Sequence, residues 1–286
     1  MKLALGIPHA PWIEGRLESF ARLAELLDLF TLPHDRFEWT QFSDKESNRS
    51  WARKLWMWAA STDAEWILQL QDDVIVPPFF WPALRAMLAN FPHDCIGLEA
   101  AHPAGPLLAQ QGHRWYRTRA WVVGVGWVLR RTVVEELLKW DGPAELNEDD
   151  YLGAFLNHTG RDAYHPIPTI IDHDTSVPSA YMNDGHQLRR PSVLWHNYPE
   201  AALTSPDFWK VPYRPTSGPP GDGHIGITVA YDVPMLMSPY IDVCWFCLGP
   251  KFPQRAVVQS QHTAAMICGP CIGRVTTAML SPRKVE

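Results

Sequence analysis

The sequence predicts an α/β protein built on a mixed, mainly parallel sheet, followed by a small C-terminal zinc-binding domain. Three observations predict it. Apolar runs of strand length alternate with helical stretches from Leu3 to His173. The texture then changes at about residue 199, and Pro, Gly and Ser collect in VPYRPTSGPPGDGH (211–224). Beyond Asp242, four of the five cysteines fall into two C-x-x-C pairs. The expected boundaries are 1–198 for the α/β domain, 199–240 for a linker or extension, and 241–286 for the zinc domain.

LALGI (3–7) reads as the first strand and Glu14–Phe30 as a helix, with Leu17, Phe20, Ala24 and Leu27 at the spacing of one buried face. A second helix spans Ser50–Ala60 and carries Trp51, Leu55 and Trp58 on one side. Trp66–Gln71 is a short strand, Pro82–Leu88 a helix after a Pro-rich turn, Cys95–Glu99 a strand, and Trp121–Arg130 a longer strand. Thr132 with Glu135 three residues on makes a capping-box start for TVVEELLKW. Asn147 caps a helix ending near Gly160, and Pro168–His173 is the last strand.

At 286 residues, 46% hydrophobic and 20% charged, the chain can bury a real core, which excludes a disordered protein. Fourteen Trp, nearly all before residue 210, suggest grooves lined by rings as well as a core. The net charge of −6 argues against electrostatically driven nucleic-acid binding by the whole chain. Residues 241–286 hold five cations against two anions, so their net is +3 and the remainder is −9. The opening MKLALGIPHAP breaks at Pro8, too early for a signal segment. The longest apolar run, WVVGVGWVL, is less than half of a ~20-residue membrane span. The expectation is a soluble, cytoplasmic protein with no membrane span.

Cys244-x-x-Cys247 and Cys268-x-x-Cys271, twenty residues apart, match a four-thiolate zinc site. A module this small draws its folding energy from the metal, and a cytosolic chain disfavours disulfides. Cys95, on an expected strand, reads as a buried apolar residue. The stretch CWFCLGPKFPQRAVVQSQHTAAMICGPCIGRVTTAML resembles the four-cysteine zinc domain at the front of the Clp-protease unfoldases. That resemblance implies partner-protein binding or dimerisation through the zinc domain.

WILQLQDDVIVPPFFW (66–81) drives an apolar strand into two adjacent carboxylates, Asp72 and Asp73. Two such anions raise each other's pKa unless a positive group stands beside them. A divalent cation is one answer and an exposed turn is another. Asp72 and Asp73 fall at the carboxyl end of a strand, where open α/β sheets bind ligands. Acids at Asn147-Glu148-Asp149-Asp150 suit the first turn of a helix through its dipole, and IIDHDTSVPS ends the last strand.

In that order these motifs resemble the A-type glycosyltransferases, a nucleotide-sugar-binding α/β fold. LQLQDDV is similar to the acidic metal motif, with Gln71 in place of its leading acid. VGVGWVLRRTVVEEL followed by NEDDYLGAFLNHTGRDAYHPIP is similar to the acceptor-side strand and the Glu-Asp motif of inverting members. IIDHDTSVPS is similar to the late segment whose His completes the metal site. The resemblance implies Asp73 and His173 as ligands of Mn²⁺ or Mg²⁺, with Asp72 nearer the sugar or ribose. Pro8, Arg16, Arg130, Asp72 and Asp73 are the residues it assigns to the nucleotide-sugar donor, a UDP-sugar ahead of a GDP-sugar. Asp149 is the expected catalytic base, with Glu148 and Asp150 as rivals.

QGHRWYRTRAWVVGVGWVLRR (111–131) carries five Arg and no acid among aromatic residues, which suits a diphosphate cradle, a nucleic-acid surface or a solvated loop. The leading expectation is therefore a metal-dependent, inverting hexosyltransferase. A hydroxymethylated base in DNA, as in phage enzymes, is slightly favoured as acceptor over a glycan or protein. The alternatives are a zinc-ribbon metal-dependent nuclease or phosphodiesterase, and a non-enzymatic nucleic-acid or protein adaptor.

Overall fold

The computed structural model describes residues 2–43, 48–100, 102, 105–118, 125–143, 146–174, 176–178 and 193–211. It also describes strands at 213–217, 227–231, 235–236, 257–259 and 266–268. The chain divides into two compact units, Met1–Leu236 and Met237–Glu286.

The first unit runs β1 (Leu3–Pro8), α1 (Arg16–Leu26), β2 (Phe37–Phe42), α2 (Asn48–Ser61), β3 (Trp66–Leu70), β4 (Val74–Ile75) and α3 (Phe80–Leu88). It continues through β5 (Cys95–Gly97), α4 (Gly105–Gln110), β6 (Trp115–Thr118), β7 (Gly126–Arg130), α5 (Arg131–Lys139) and α6 (Glu148–His158). The described remainder holds β8 (Ala163–Pro166), β9 (Asp172–His173), α7 (Glu200–Leu203), β10 (Tyr213–Ser217), β11 (Ile227–Tyr231) and β12 (Met235–Leu236). Eight strands form one sheet in the order β12-β6-β8-β5-β7-β3-β1-β2. Pairing makes β1, β2, β3, β5 and β8 run one way, with β7, β6 and β12 against them. The sheet is thus mixed and mainly parallel. In the second unit, β13 (Val257–Gln259) and β14 (Met266–Cys268) pair antiparallel.

The central strands β1, β3, β5 and β7 are buried on both faces, and their period of two sorts side chains into two cores. Leu3, Leu5, Ile7, Trp66, Leu68, Leu70 and Val128 pack toward Leu23, Leu27, Phe80 and Leu84 on the side of α1 and α3. Ala4, Ile67, Trp127 and Leu129 pack toward Trp51, Leu55, Trp56, Val133, Leu152 and Phe155 on the side of α2, α5 and α6. Each large apolar side chain so enclosed contributes roughly 1.5–3 kcal/mol. Gln69, fully buried between Leu68 and Leu70, takes a place of the second core without being apolar.

Several elements depart from what the sequence predicts. Strands β2, β6 and β8 were not expected, because FEWTQF is a half-exposed edge strand and WYRT and AYHP carry polar residues inside the sheet. The expected last strand at 168–173 contracts to β9. On α1 the expected Phe20, Ala24 and Leu27 pack into the core, but Leu17 is 55% exposed and the inner face begins instead with the buried cation Arg16. The Thr132 capping box does not form, because α5 begins at Arg131, which pairs with Glu135 one turn on. Finally, Leu203 and Trp209 are buried in the first core, and Trp115 Nε1 donates to the Trp209 carbonyl at 3.0 Å. Part of the segment expected to be a linker or extension thus packs on the α/β body.

Candidate functional site

The site grows from the carboxyl ends of β1 and β3, which pair in parallel with Gly6 opposite Gln69. After Leu70 the Gln71 amide is held by the Val125 carbonyl at 2.9 Å. The chain then turns through Asp72 and Asp73 into β4, whose Val74 pairs with His173 of β9. From β1, Pro8 leads into His9 and Ala10 at the same edge. Gly15, at φ 80°, supplies a left-handed step that L side chains rarely adopt, and Arg16 follows it as the first residue of α1.

These pieces form one buried network. Asp72 Oδ2 accepts the Ala10 backbone N–H at 2.8 Å and lies 2.9 Å from His9 Nδ1. Its Oδ1 accepts from Arg16 Nη1. Arg16 Nη2 stands 2.8 Å from Asp73 Oδ2 and also donates to the Pro178 carbonyl at 3.0 Å. His173 Nε2 is 2.8 Å from the same Asp73 oxygen. The Asp73 carbonyl accepts the Asp174 N–H at 2.8 Å, and Arg22 holds the Asp174 carboxylate at 2.7 Å, so the β9 segment is fastened across the turn. The positive group beside the two carboxylates is thus Arg16, whose planar fork reaches both.

Asp72, with both oxygens engaged, is built as a holder. Asp73 and His173 are placed differently. Two ligand atoms each about 2.1 Å from one ion, at right angles, lie about 3 Å apart, and the 2.8 Å between Asp73 Oδ2 and His173 Nε2 is close to that. The spacing of these two side chains fits a shared hard divalent ion as well as the hydrogen bond they make to each other. Among the described residues no three His, Cys, Asp or Glu side chains gather into a self-sufficient metal site.

The acidic start of α6 meets the same strand. Glu148 is buried, and Gln69 Nε2 donates to its Oε1. Burial pushes the Glu148 carboxyl well above the usual carboxylate range; the Gln69 hydrogen bond opposes this, the Asp149 charge adds to it, and Trp127 opposes it slightly. Asn147 caps α6 by backbone position, without a side-chain hydrogen bond. Asp149 is half-buried and accepts the Asp150 N–H at 3.0 Å, while Asp150 is exposed. Of the three acids, Glu148 is the least suited to take a proton from a substrate, since it is enclosed and already disposed to hold one.

Arg130 is a correction. It lies opposite Trp66, at the other end of β3 from Asp72, where it pairs with Glu65 at 3.0 Å and stacks over Trp66 at 4.2 Å. The described part of the Arg-rich stretch is likewise consumed inside the molecule. Arg114 lies over Phe208 and Tyr198, Arg117 pairs with Asp162, and Trp115, Tyr116 and Trp127 are core residues. Pro8 stays at the site's edge as the last residue of β1. Cys244, Cys247 and Cys271 lie outside the described residues, and of Cys268 only the strand backbone is described. Cys95 is fully buried, and burial pushes its thiol up.

Sequence reasoning passed over His9 and Gln69. Gln69 had a signal, since a polar residue inside WILQL breaks an otherwise apolar, doubly buried strand. His9 had none beyond following the first strand. A third buried polar group, His165, lies 2.9 Å from Thr118 Oγ1 and 3.2 Å from the Glu99 carbonyl, and burial lowers its pKa to about 4.

No family model and no curated protein matches the sequence. Among solved structures, the chain is similar to A197 from STIV, at 15% identity and a TM-score of 0.40 over 68% of this chain and 96% of that one. It is similar to a glycosyltransferase involved in glycosylation of the major capsid of PBCV-1, at 14% identity and a TM-score of 0.33 over 55% and 74%. A mutant Drosophila beta-1,4-galactosyltransferase 7, solved with manganese, UDP-Gal and xylobiose, matches at 15% identity and a TM-score of 0.36 over 75% and 85%. At these identities the likeness is one of fold alone. Among the described residues no helix is long and apolar enough to cross a membrane.

Proposed function

We propose that the chain is a nucleotide-sugar-dependent, inverting glycosyltransferase of the hexosyl type. One observation carries the reading. The Arg16–Asp72–Asp73–His173 network and the acidic N-terminus of α6 converge on the carboxyl end of β3, joined through Gln69 and Glu148. Ligands of open α/β sheets bind at that edge. Asp73 and His173 would hold Mn²⁺ or Mg²⁺, which supplies charge stabilisation to the departing nucleoside diphosphate. Arg16 pairs with both Asp72 and Asp73 and holds them close. Asp149 accepts the proton of the acceptor hydroxyl as its oxygen forms the new bond to the sugar carbon and the bond to the diphosphate breaks.

The direct test is thermal denaturation with UDP- and GDP-sugars, with and without Mn²⁺, since a ligand of the folded state raises Tm. A shift requiring both sugar nucleotide and metal is expected, and no shift with any donor would overturn the reading. Asp149→Asn should keep donor and Mn²⁺ affinity while lowering transfer by roughly a hundredfold or more. If it loses Mn²⁺ binding in step with activity, the carboxylate is a metal ligand and the nuclease reading takes over. Hydroxymethylated DNA, glycans and protein serve as parallel acceptors. The DNA arm rests on the basic C-terminal stretch, because the described Arg residues of 111–131 are spent on internal contacts. The zinc domain is proposed as a structural four-thiolate site, with dimerisation or partner binding as its use.

A further inference from the structure

Gln69 and Glu148 form a buried pair that nothing in the proposed chemistry requires. They come from different layers: Gln69 from the middle of the sheet, Glu148 from the first position of α6. Both side chains are enclosed, Gln69 at 0% and Glu148 at 2% exposure. An apolar pair would fill the same space, and the rest of this core is apolar. A polar pair here has a directional consequence. It fixes how far the first turn of α6 sits along β3, and so where Asp149, the next residue, stands relative to the Asp72–Asp73 turn.

We propose that Glu148 is a positioning residue: bonded to Gln69, it pins the N-terminus of α6 to β3 and so holds Asp149 at the sheet edge. The proposal rests on the glycosyltransferase reading for what Asp149 does there. The hydrogen-bond inventory of the pair says in which form Glu148 acts. The Gln69 amide donates to Glu148 Oε1, and Gln69 Oε1 is buried without a hydrogen-bond partner among the described residues. A carboxylate offers that oxygen no donor, whereas a carboxylic acid does. With the proton on Glu148, amide and acid can each donate to the other and the orphan acceptor is filled. Burial favours the same form. The group is then a neutral acid locked to an amide, and Asp149 beside it faces one less like charge.

Glu148→Gln keeps the size, the neutrality and the capacity both to donate and to accept, whereas Glu148→Ala and Gln69→Ala remove the tie. Rates would be measured with the sugar nucleotide that raises Tm. Glu148→Gln should stay within about threefold of the parent, and both alanine variants should lose about tenfold or more in kcat with little change in donor KM. Infrared difference spectroscopy reads the protonation state without any turnover. A protonated-carboxyl C=O band should persist at neutral pH in the parent and in Asp149→Asn, and vanish in Glu148→Gln. Glu148→Gln as inactive as Glu148→Ala would overturn the proposal, and so would the absence of a band lost on that substitution. Should Glu148→Ala fail to fold, Gln69→Ala and the infrared measurement still decide. Since the band needs no donor, its absence counts against this proposal alone, and failure of every donor counts against the glycosyltransferase reading alone.

Discussion

Replacing Glu148 by Gln should make the protein respond differently to pH, and the direction of the difference follows from the burial of one carboxyl. In the unfolded chain Glu148 releases its proton near the ordinary value of 4.5, whereas in the folded chain burial holds it on well above that. Above pH 4.5 the folded state therefore binds one more proton than the unfolded state. The contribution is fully present below the unfolded pKa and is lost as pH rises, at about 1.4 kcal/mol per unit until the folded group ionises. Gln carries no proton and has no such slope. The difference in unfolding free energy should therefore shift steadily in favour of Glu148→Gln as pH rises from 5 toward 7. Titrations shared by both proteins, such as that of His165, cancel in the comparison.

Urea unfolding followed by Trp fluorescence is the assay, since thirteen of the fourteen Trp lie in the unit Met1–Leu236 and the signal reports that unit. The charge facing Glu148 from its own helix is Asp149, and its other neighbours, Gln69 and Trp127, are uncharged. A second series in an Asp149→Asn background should keep most of the slope, since burial rather than Asp149 leads the shift. A difference that stays flat from pH 5 to pH 7 would refute the reasoning, because it would mean that Glu148 ionises alike in both states.

Other consequences are as direct. Arg16→Ala leaves two adjacent buried carboxylates without their shared cation and should cost about 3–5 kcal/mol, read by the same urea titration; a loss under ~1 kcal/mol would mean that the pair is solvated. His165, buried and neutral, has a folded pKa of about 4 against 6.5, so its contribution is present above pH 6.5 and lost as pH falls toward 4, about 3 kcal/mol in all. An NMR titration should find its ring neutral at pH 5, and a midpoint near 6.5 would contradict this. Metal analysis of freshly purified protein should give about one zinc per chain, held by Cys244, Cys247, Cys268 and Cys271. Chelation should then release zinc and leave the Trp-reported unfolding of the α/β unit unchanged.

The alternation of apolar runs and helical stretches makes the α/β class legible, because strands buried on both faces must read as near-continuous hydrophobic segments. What escapes is every element whose sequence serves two masters. FEWTQF carries no clear apolar signal because one side of an edge strand faces water. The α1 face holds at Phe20, Ala24 and Leu27 and fails at Leu17, because the first inward residue is Arg16, a cation that no hydrophobic pattern would place inside. Asp72, Asp73 and His173 stand out as motifs, but their geometry depends on contacts 56 and 100 residues apart in the chain. No local spacing encodes those. Arg130 illustrates the opposite error, since a basic residue at the end of an expected strand looks available until the register sets it at the far end of β3 from Asp72.

The two adjacent carboxylates that begin the problem are resolved by division of labour. Asp72 is neutralised within the protein, by Arg16 across one oxygen and by His9 and the Ala10 amide at the other. Asp73 shares Arg16 but presents the same oxygen to His173. On the proposed reading the cluster offers a cation only two ligand atoms, Asp73 Oδ2 and His173 Nε2, too few to hold a hard divalent ion that takes about six oxygens. A nucleoside diphosphate brings both the missing ligands and the anionic charge that Arg16 and the ion together can meet. On the proposed reading, then, metal and donor bind each other's site. Mn²⁺ affinity should be weak alone and rise steeply with UDP-sugar, by equal factors in either order of addition, because binding linkage is reciprocal.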